Sequence, residues 1–231
     1  MKDVNDICVL ISARLNSHRI PQKMTSPFGN TTLLDISISK LLDSSVIPKE
    51  NIVLAVHEPE LAVIGEKYGV NIYHRSKESA QSEGKKLTVL YDWHNNLDFK
   101  YVILLNPCLP FLSIETIDKF FLEYKSSDND GLFGVIAKKN YFWNDNEEMI
   151  TKWTDGLEVM NTKFVETTYE AANCLSATKL DMIKDGHWMG RAPYTKNNPP
   201  ICELPEKECF DIDYPWQFDL AEALYLKRRS I

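Results

Sequence analysis

Ile7-Cys8-Val9-Leu10-Ile11 runs directly into Ser12-Ala13-Arg14-Leu15-Asn16-Ser17-His18-Arg19-Ile20-Pro21-Gln22-Lys23, and this junction decides the fold. An apolar run of this length bounded by polar residues reads as a strand buried on both faces, the habit of parallel sheets. The loop that follows carries Arg14, His18, Arg19 and Lys23 before the next apolar period begins. Ligands of open α/β sheets sit beyond the carboxyl ends of the strands, so this loop is placed to hold a polyanion. Basic side chains on a surface loop are more often simply solvated, and that simpler account stands beside the first. The loop is neither Gly-x-x-x-x-Gly-Lys-Ser/Thr nor Gly-x-Gly-x-x-Gly, which disfavours those nucleotide folds.

Thr31 to Ser44 brings Leu33, Leu34, Ile36, Ile38, Leu41 and Leu42 at near-helical spacing, with Pro48 as a stop. Asn51 to Val56 reads as a strand, Glu60 to Tyr68 as a helix, Val70 to Tyr73 as a short strand, Lys85 to Asn95 as a helix and Tyr101 to Leu105 as a buried strand. This alternation predicts βαβ units in a three-layer α/β/α sandwich with a mostly parallel, Rossmann-like sheet. A helix over Ile114 to Tyr124 and a strand over Gly131 to Ala137 follow. Tyr141 to Glu170 is then acidic and weakly periodic, yet it carries Tyr141, Phe142, Trp143, Trp153 and Phe164, too many aromatics for a solvated loop. Residues 139–172 are therefore expected to form a small β-rich insertion in need of cover, within a single domain spanning 1–231. Asn173 to Thr178 returns to the main sheet, and a last helix runs from about Pro215 to Arg228.

A chain of 231 residues supports one substantial core. Its net charge of −7 argues against a general nucleic-acid binder, which needs a basic face. A triphosphate is different, because one basic loop and a divalent cation can neutralise it inside an acidic protein. No stretch approaches the roughly 18 apolar residues of a membrane span, and Met1-Lys2-Asp3-Val4-Asn5-Asp6 does not open a signal peptide, so the expectation is a cytoplasmic protein without a membrane partner. Cys8, Cys108, Cys174, Cys202 and Cys209 contain no Cys-x-x-Cys pair, and the histidines lack ligand spacing, so neither a disulfide framework nor a zinc site is indicated.

Asp211-Ile212-Asp213 is the other local signal. In an extended segment both carboxylates fall on one face while Ile212 points into the core. Carboxylates so placed repel unless a cation lies between them, and hard oxygen ligands suit Mg²⁺ that also holds phosphate. Capping of the following helix is the plainer alternative.

The opening loop resembles the I-P-A-R-x-G-S-x-R-x-x-x-K signature of the cytidylyltransferases that activate acidic sugars, the acylneuraminate and 3-deoxy-manno-octulosonate cytidylyltransferases. Arg14, Ser17, Arg19 and Lys23 fall on matching positions, with Ser12 for the usual Pro and Asn16 for a Gly that allows positive φ and close approach to phosphate. Phe210 to Glu222 resembles the family's D-I-D-T-P-x-D-x-x-x-A-E element, whose first two carboxylates bind the divalent metal. Leu104 to Ser113 resembles L-Q-P-T-S-P-L-x-S, with Asn106 offering the amide of the usual Gln. Asn173 falls in a segment similar to the N-G-A/S-x-Y strand, where Asn faces the acyl sugar. Arg75 lies where an R-P-x-x-L-A segment is frequent, and Met189-Gly190-Arg191 is similar to the approach to the final motif.

This resemblance implies transfer of CMP from CTP to an acidic sugar, with release of pyrophosphate, for surface polysaccharide synthesis. It implies nucleotide contacts from Ala13, Arg14, Ser17, Arg19, Lys23 and Asn106, with Arg14 and Lys23 catalytic, acceptor contacts from Asn173 and Arg191, and Mg²⁺ on Asp211 and Asp213. It also implies a homodimer built through the insertion. A smaller sugar or polyol phosphate remains open as acceptor. Ser12, Asn16, Cys108, Leu109 and Cys174 depart from the pattern and keep a catalytically silent nucleotide-binding assembly subunit as the alternative.

Overall fold

The opening apolar run is strand β1 (Ile7–Ser12), and Ile7 to Ile11 are all buried because they supply two cores at once. Ile7, Val9 and Ile11 enter one core while Cys8 and Leu10 enter the other. The computed structural model describes residues 1–81, 85–187 and 200–229. The further strands are β2 (Ile52–Val56), β3 (Asn71–His74), β4 (Tyr101–Leu105), β5 (Gly131–Lys138), β6 (Thr168–Lys179) and β7 (Ile201–Glu203). All seven form one sheet in the order β3-β2-β1-β4-β6-β5-β7. β3, β2, β1 and β4 are mutually parallel, β6 runs antiparallel to both β4 and β5, and β7 is parallel to β5.

The helices are α1 (Leu33–Leu42), α2 (Pro59–Tyr68), α3 (Leu87–Leu90), α4 (Ile114–Ser126), α5 (Leu180–Lys184) and α6 (Pro215–Arg229). Leu34 and Ile38 of α1, Leu61 of α2, Phe120 of α4 and Ala221 of α6 pack on the Ile7-Val9-Ile11 face. Trp93, with Leu180 and Ile183 of α5, covers the other face. The expected three-layer sandwich is therefore present. No helix among the described residues is long and apolar enough to cross a membrane.

Two expectations are corrected. The helix foreseen over Lys85 to Asn95 is only the single turn α3 followed by a 3₁₀ turn at Asp92–Asn95, broken at Tyr91 (φ −111°, ψ 52°) so that Trp93 plunges fully into the core. The 139–172 insertion is not β-rich on its own account. It holds one isolated bridge, Trp143 to Met149, and a 3₁₀ turn at Thr162–Phe164, while Thr168 onward belongs to β6. Asn144 explains part of this, since its carboxamide oxygen accepts from the Asn146 and Glu148 amides and commits the acidic stretch to a turn. Tyr141 packs on Trp153 at 5.8 Å, and the Trp153 indole donates to the Leu157 carbonyl at 2.8 Å.

Beside the site, the β5–β6 register slips between Phe133, paired with Ser176, and Val135, paired with Ala171. The extra β6 residues bulge out, with Asn173 in the left-handed region at φ 51°. Gly134 lies opposite, where an added Cβ would meet the Leu175 carbonyl oxygen at 2.9 Å and Leu204 at 2.7 Å. Backbone cannot yield as a flexible side chain does, so Gly134→Ala is expected to destabilise the protein by about 1–3 kcal/mol. Chemical denaturation checks this, and an unchanged midpoint would contradict it.

Candidate active site

The loop after β1 is built by its own backbone. The Ala13 amide donates to the Ala55 carbonyl at 3.2 Å, carrying the β1–β2 pairing one residue beyond the strand. The Leu15 amide donates to Glu58 Oε1 at 3.0 Å, while the Leu15 carbonyl accepts from Ser17 at 2.8 Å and Gln22 at 3.1 Å. Ser17 Oγ accepts from the Ile20 amide at 3.3 Å. The left-handed residue in this curl is Gln22 at φ 54°, not Asn16, so Asn in place of Gly there brings no backbone strain.

This curl forms one wall of a cleft of about 590 Å³ lined by Ala13, Arg14, Ser17, Arg19, Lys23, Asn106 and Asp213. Arg14 also borders a groove of about 890 Å³ with His18, His57 and Glu58. On the other side of Asn106 a hollow of about 350 Å³ is lined by Ser12, Tyr91, Phe133, Asn173 and Ser176. The structure thus gathers Ala13, Arg14, Ser17, Arg19, Lys23, Asn106 and Asp213 in one cleft and puts Asn173 in the adjoining hollow. Arg191 lies outside the described residues.

Lys23 is not a solvated loop charge. It is 8% exposed, and its ammonium donates to the carbonyl of fully buried Ile212. The Ile212 amide in turn donates to the Cys108 carbonyl at 3.1 Å. Asp211 and Asp213 flank this anchor. Asn106 Nδ2 donates to Asp211 Oδ2 at 3.3 Å and to the Asn173 carbonyl at 2.8 Å. Arg19 donates to Asp213 Oδ1 at 2.6 Å and stands 5.1 Å from the centre of the Tyr214 ring. Capping does not account for Asp213, because Gln217 Oε1 accepts from the Asp213 amide at 2.7 Å and the Tyr214 amide at 2.8 Å. Burial, then the neighbouring Asp213 charge, pushes the Asp211 carboxyl up to about 6. Asp211 Oδ1 is buried without a hydrogen-bond partner among the described residues.

Sequence reasoning gave Arg75 little weight and missed Glu58. Arg75 donates to Ser12 Oγ at 2.8 Å, to Ser79 Oγ at 3.1 Å, to the Ser79 carbonyl and to the Leu90 carbonyl at 3.4 Å. It splints the end of β1, and burial lowers its pKa. Glu58 carried no signal, because a carboxylate that holds a backbone amide looks like any surface acid in sequence.

A parallel sheet whose strand ends carry a basic loop, facing a carboxylate pair on the returning chain, defines a nucleotide-handling α/β fold. The chain belongs to the family described as Cytidylyltransferase, whose model matches residues 8–195. It is 35% identical over 81 residues to the spore coat polysaccharide biosynthesis protein SpsF of Bacillus subtilis, covering 32% of this chain and 34% of that one. It is 23% identical over 131 residues to a 3-deoxy-manno-octulosonate cytidylyltransferase of Rickettsia bellii, covering 57% of this chain and 52% of the relative. The chain thus spans between about a third and half the length of these curated relatives. A solved CMP:2-keto-3-deoxy-manno-octonic acid synthetase complexed with CTP superposes with a TM-score of 0.69 at 11% identity, over 96% of this chain and 99% of that one. At that identity the likeness shows the fold.

The raised Asp211 pKa fixes the sign of a pH effect. The folded protein keeps this proton to a higher pH than the unfolded chain, so stability falls as pH rises from about 4 to 6, and the full cost is present above that window. In metal-free buffer at pH 7.5, Asp211→Asn is therefore expected to stabilise by on the order of 1 kcal/mol, allowing for solvent screening, with the gain vanishing near pH 4. Denaturation midpoints across this range in a chelator test it. A variant less stable than wild type at pH 7.5 would refute the assignment.

Proposed function

We propose that this protein transfers CMP from CTP to the hydroxyl of an acidic sugar, releasing pyrophosphate, in the synthesis of surface polysaccharide. One observation carries the reading: Arg14, Arg19 and Lys23 near one end of the chain and Asp213 near the other line a single cleft, with Asp211 joined to it through Asn106. In the reaction the acceptor oxygen forms a bond to the α-phosphorus while the bond to the bridging oxygen breaks. Pyrophosphate leaves with that electron pair, and the hydroxyl proton passes to water. Alignment and charge stabilisation supply most of the catalysis.

Arg14 pairs with no carboxylate among the described residues and is available to the triphosphate. Arg19 is held by Asp213 in an ion pair half-exposed on the Arg side, where solvent screening keeps the pair weak, so a triphosphate can draw it away. Lys23 acts from behind, fixing Ile212 and hence the spacing of both carboxylates. Asp211 and Asp213 would hold Mg²⁺, and the unpartnered Asp211 Oδ1 with its raised pKa fits a cation. Two carboxylates suffice for a metal that completes its shell with substrate phosphates and water. When bound, Mg²⁺ would supply neutralisation of phosphate charge. Asn106, in the cleft with the basic loop, would face the nucleotide, and Asn173, in the adjoining hollow, the acceptor. Support for a sugar acid comes from the relative named for an octulosonate, and for polysaccharide from the one named for spore coat polysaccharide.

Pyrophosphate release with each nucleoside triphosphate, Mg²⁺ and a panel of acidic sugars tests the proposal. CTP with a sugar acid is the expected pair, and silence with every combination would favour an assembly subunit. In calorimetry, Arg14→Ala should weaken CTP binding about 10- to 100-fold, the loss of one charge-assisted contact. Lys23→Ala should lower both binding and stability, since it removes a buried hydrogen-bonded charge.

The homodimer belongs to the same proposal. Residues 139–172 expose Trp143 at 49%, with Ile150, Val159, Met160 and Phe164 also outside the core, and aromatic and Met side chains are favoured in interface centres. A twofold partner would cover them. Sedimentation at micromolar concentration should give a dimer, and Trp143→Asp with Phe164→Asp a folded monomer; monomeric wild-type protein would remove this part of the proposal.

A further inference from the structure

Cys174 and Cys209 bring their Sγ atoms to 3.9 Å across 35 residues of chain. The other thiols are engaged differently: Cys8 with the Tyr101 carbonyl, Cys202 with the Glu123 carboxylate and Cys108 with the Lys23 ammonium. Both members of the pair touch the site's framework without belonging to its working groups. Cys174 follows Asn173 in the β6 bulge, and its carbonyl accepts from the Asn106 amide at 2.9 Å. Cys209 ends the 3₁₀ turn Glu206–Glu208, two residues before Asp211. Cys174 is buried at 2% exposure and Cys209 is only half-buried, so Cys209 is the member of the pair nearer solvent.

We propose that Cys174 and Cys209 are a peroxide-responsive dithiol whose disulfide fastens the Asp211–Asp213 segment to the β6 bulge. The Cys209 sulfur attacks one peroxide oxygen, the O–O bond breaks, and a sulfenic acid and one water form. The Cys174 sulfur then displaces the sulfenic hydroxyl, which leaves as a second water with the Cys174 proton. Both thiols together lose two electrons, and one hydrogen peroxide gains them. A dithiol reductant reverses the change by exchange. Closing from 3.9 Å to the usual S–S length of about 2.05 Å asks for a movement of about 2 Å, which the short turn before Cys209 can supply.

The test uses the full chain, reduced and then treated with a few equivalents of hydrogen peroxide. Titratable thiols should fall from five to three, and a non-reducing peptide map should join Cys174 to Cys209. Amide exchange over 209–213 should slow, and dithiothreitol should restore the starting state. Cys209→Ser should retain its remaining four thiols at the same dose, and it keeps the test sound should Cys174→Ser fail to fold. A cross-link through Cys108, sulfinic acid at Cys209 without a cross-link, undiminished thiols, or a cross-link without slower exchange would each overturn the proposal. None of these readouts depends on the nucleotide or the acceptor, so the function proposed above stands or falls separately.

Discussion

The Lys23 ammonium, buried on the Ile212 carbonyl, is the contact on which the rest of the site depends. It joins positions 189 residues apart and sets the basic loop against the carboxylate segment. Leaving the buried Ile212 carbonyl without this donor would cost about 1–3 kcal/mol, which makes this junction stiff. The neighbouring contacts reinforce it. The Gly29 amide donates to Glu222 of α6 at 2.7 Å, and Phe28 meets Phe218 and Tyr225, each at 5.2 Å between ring centres. Sequence-distant ends of one cleft are thereby fixed on both flanks of the loop.

What a sequence reveals here follows from how local the cause is. β1, β2 and β4 were legible because burial on both faces leaves no room for polar residues, and the alternation in Asp211-Ile212-Asp213 correctly sent Ile212 inward. The antiparallel course of β6 was not legible, since direction depends on which neighbour a strand meets. β7 has only three residues and no periodicity to detect. The aromatic stretch beyond Lys138 misled for a different reason: Tyr141 and Trp153 satisfy each other inside an irregular loop, so aromatic content did not require strands.

The site residues divide the same way. Arg14, Arg19 and Lys23 share a recognisable spacing, yet spacing alone leaves all three open between phosphate and solvent, whereas the fold buries Lys23, pairs Arg19 and leaves Arg14 with no carboxylate partner among the described residues. Glu58 and Arg75 set the shape of the loop and of the β1 end through backbone and hydroxyl contacts. Their role emerges only when three separate strand ends are brought together. An acidic chain can therefore keep a cationic cleft, because the positive groups are concentrated by topology while the net charge is spread over the whole surface.

Asp211 shows why such a site is built at some cost to stability. Its carboxylate is partly desolvated, lies beside Asp213 and leaves Oδ1 without a hydrogen bond, so ionisation is disfavoured in the absence of a further cation. The charges of Lys23 and Arg19 offset only part of this, because the Lys23 ammonium is directed to the Ile212 carbonyl and Arg19 to Asp213. A well-packed apolar pair would be more stable at these two positions and would have nothing to offer a metal–phosphate complex. Under the proposed function the unfavourable carboxylate is the useful one: a proton and a divalent cation compete for the same oxygen, and raising the pH above about 6 clears it for the cation. Local instability in the free protein then becomes differential affinity for the loaded nucleotide, the exchange expected where sequence rules for stability are broken at a functional site.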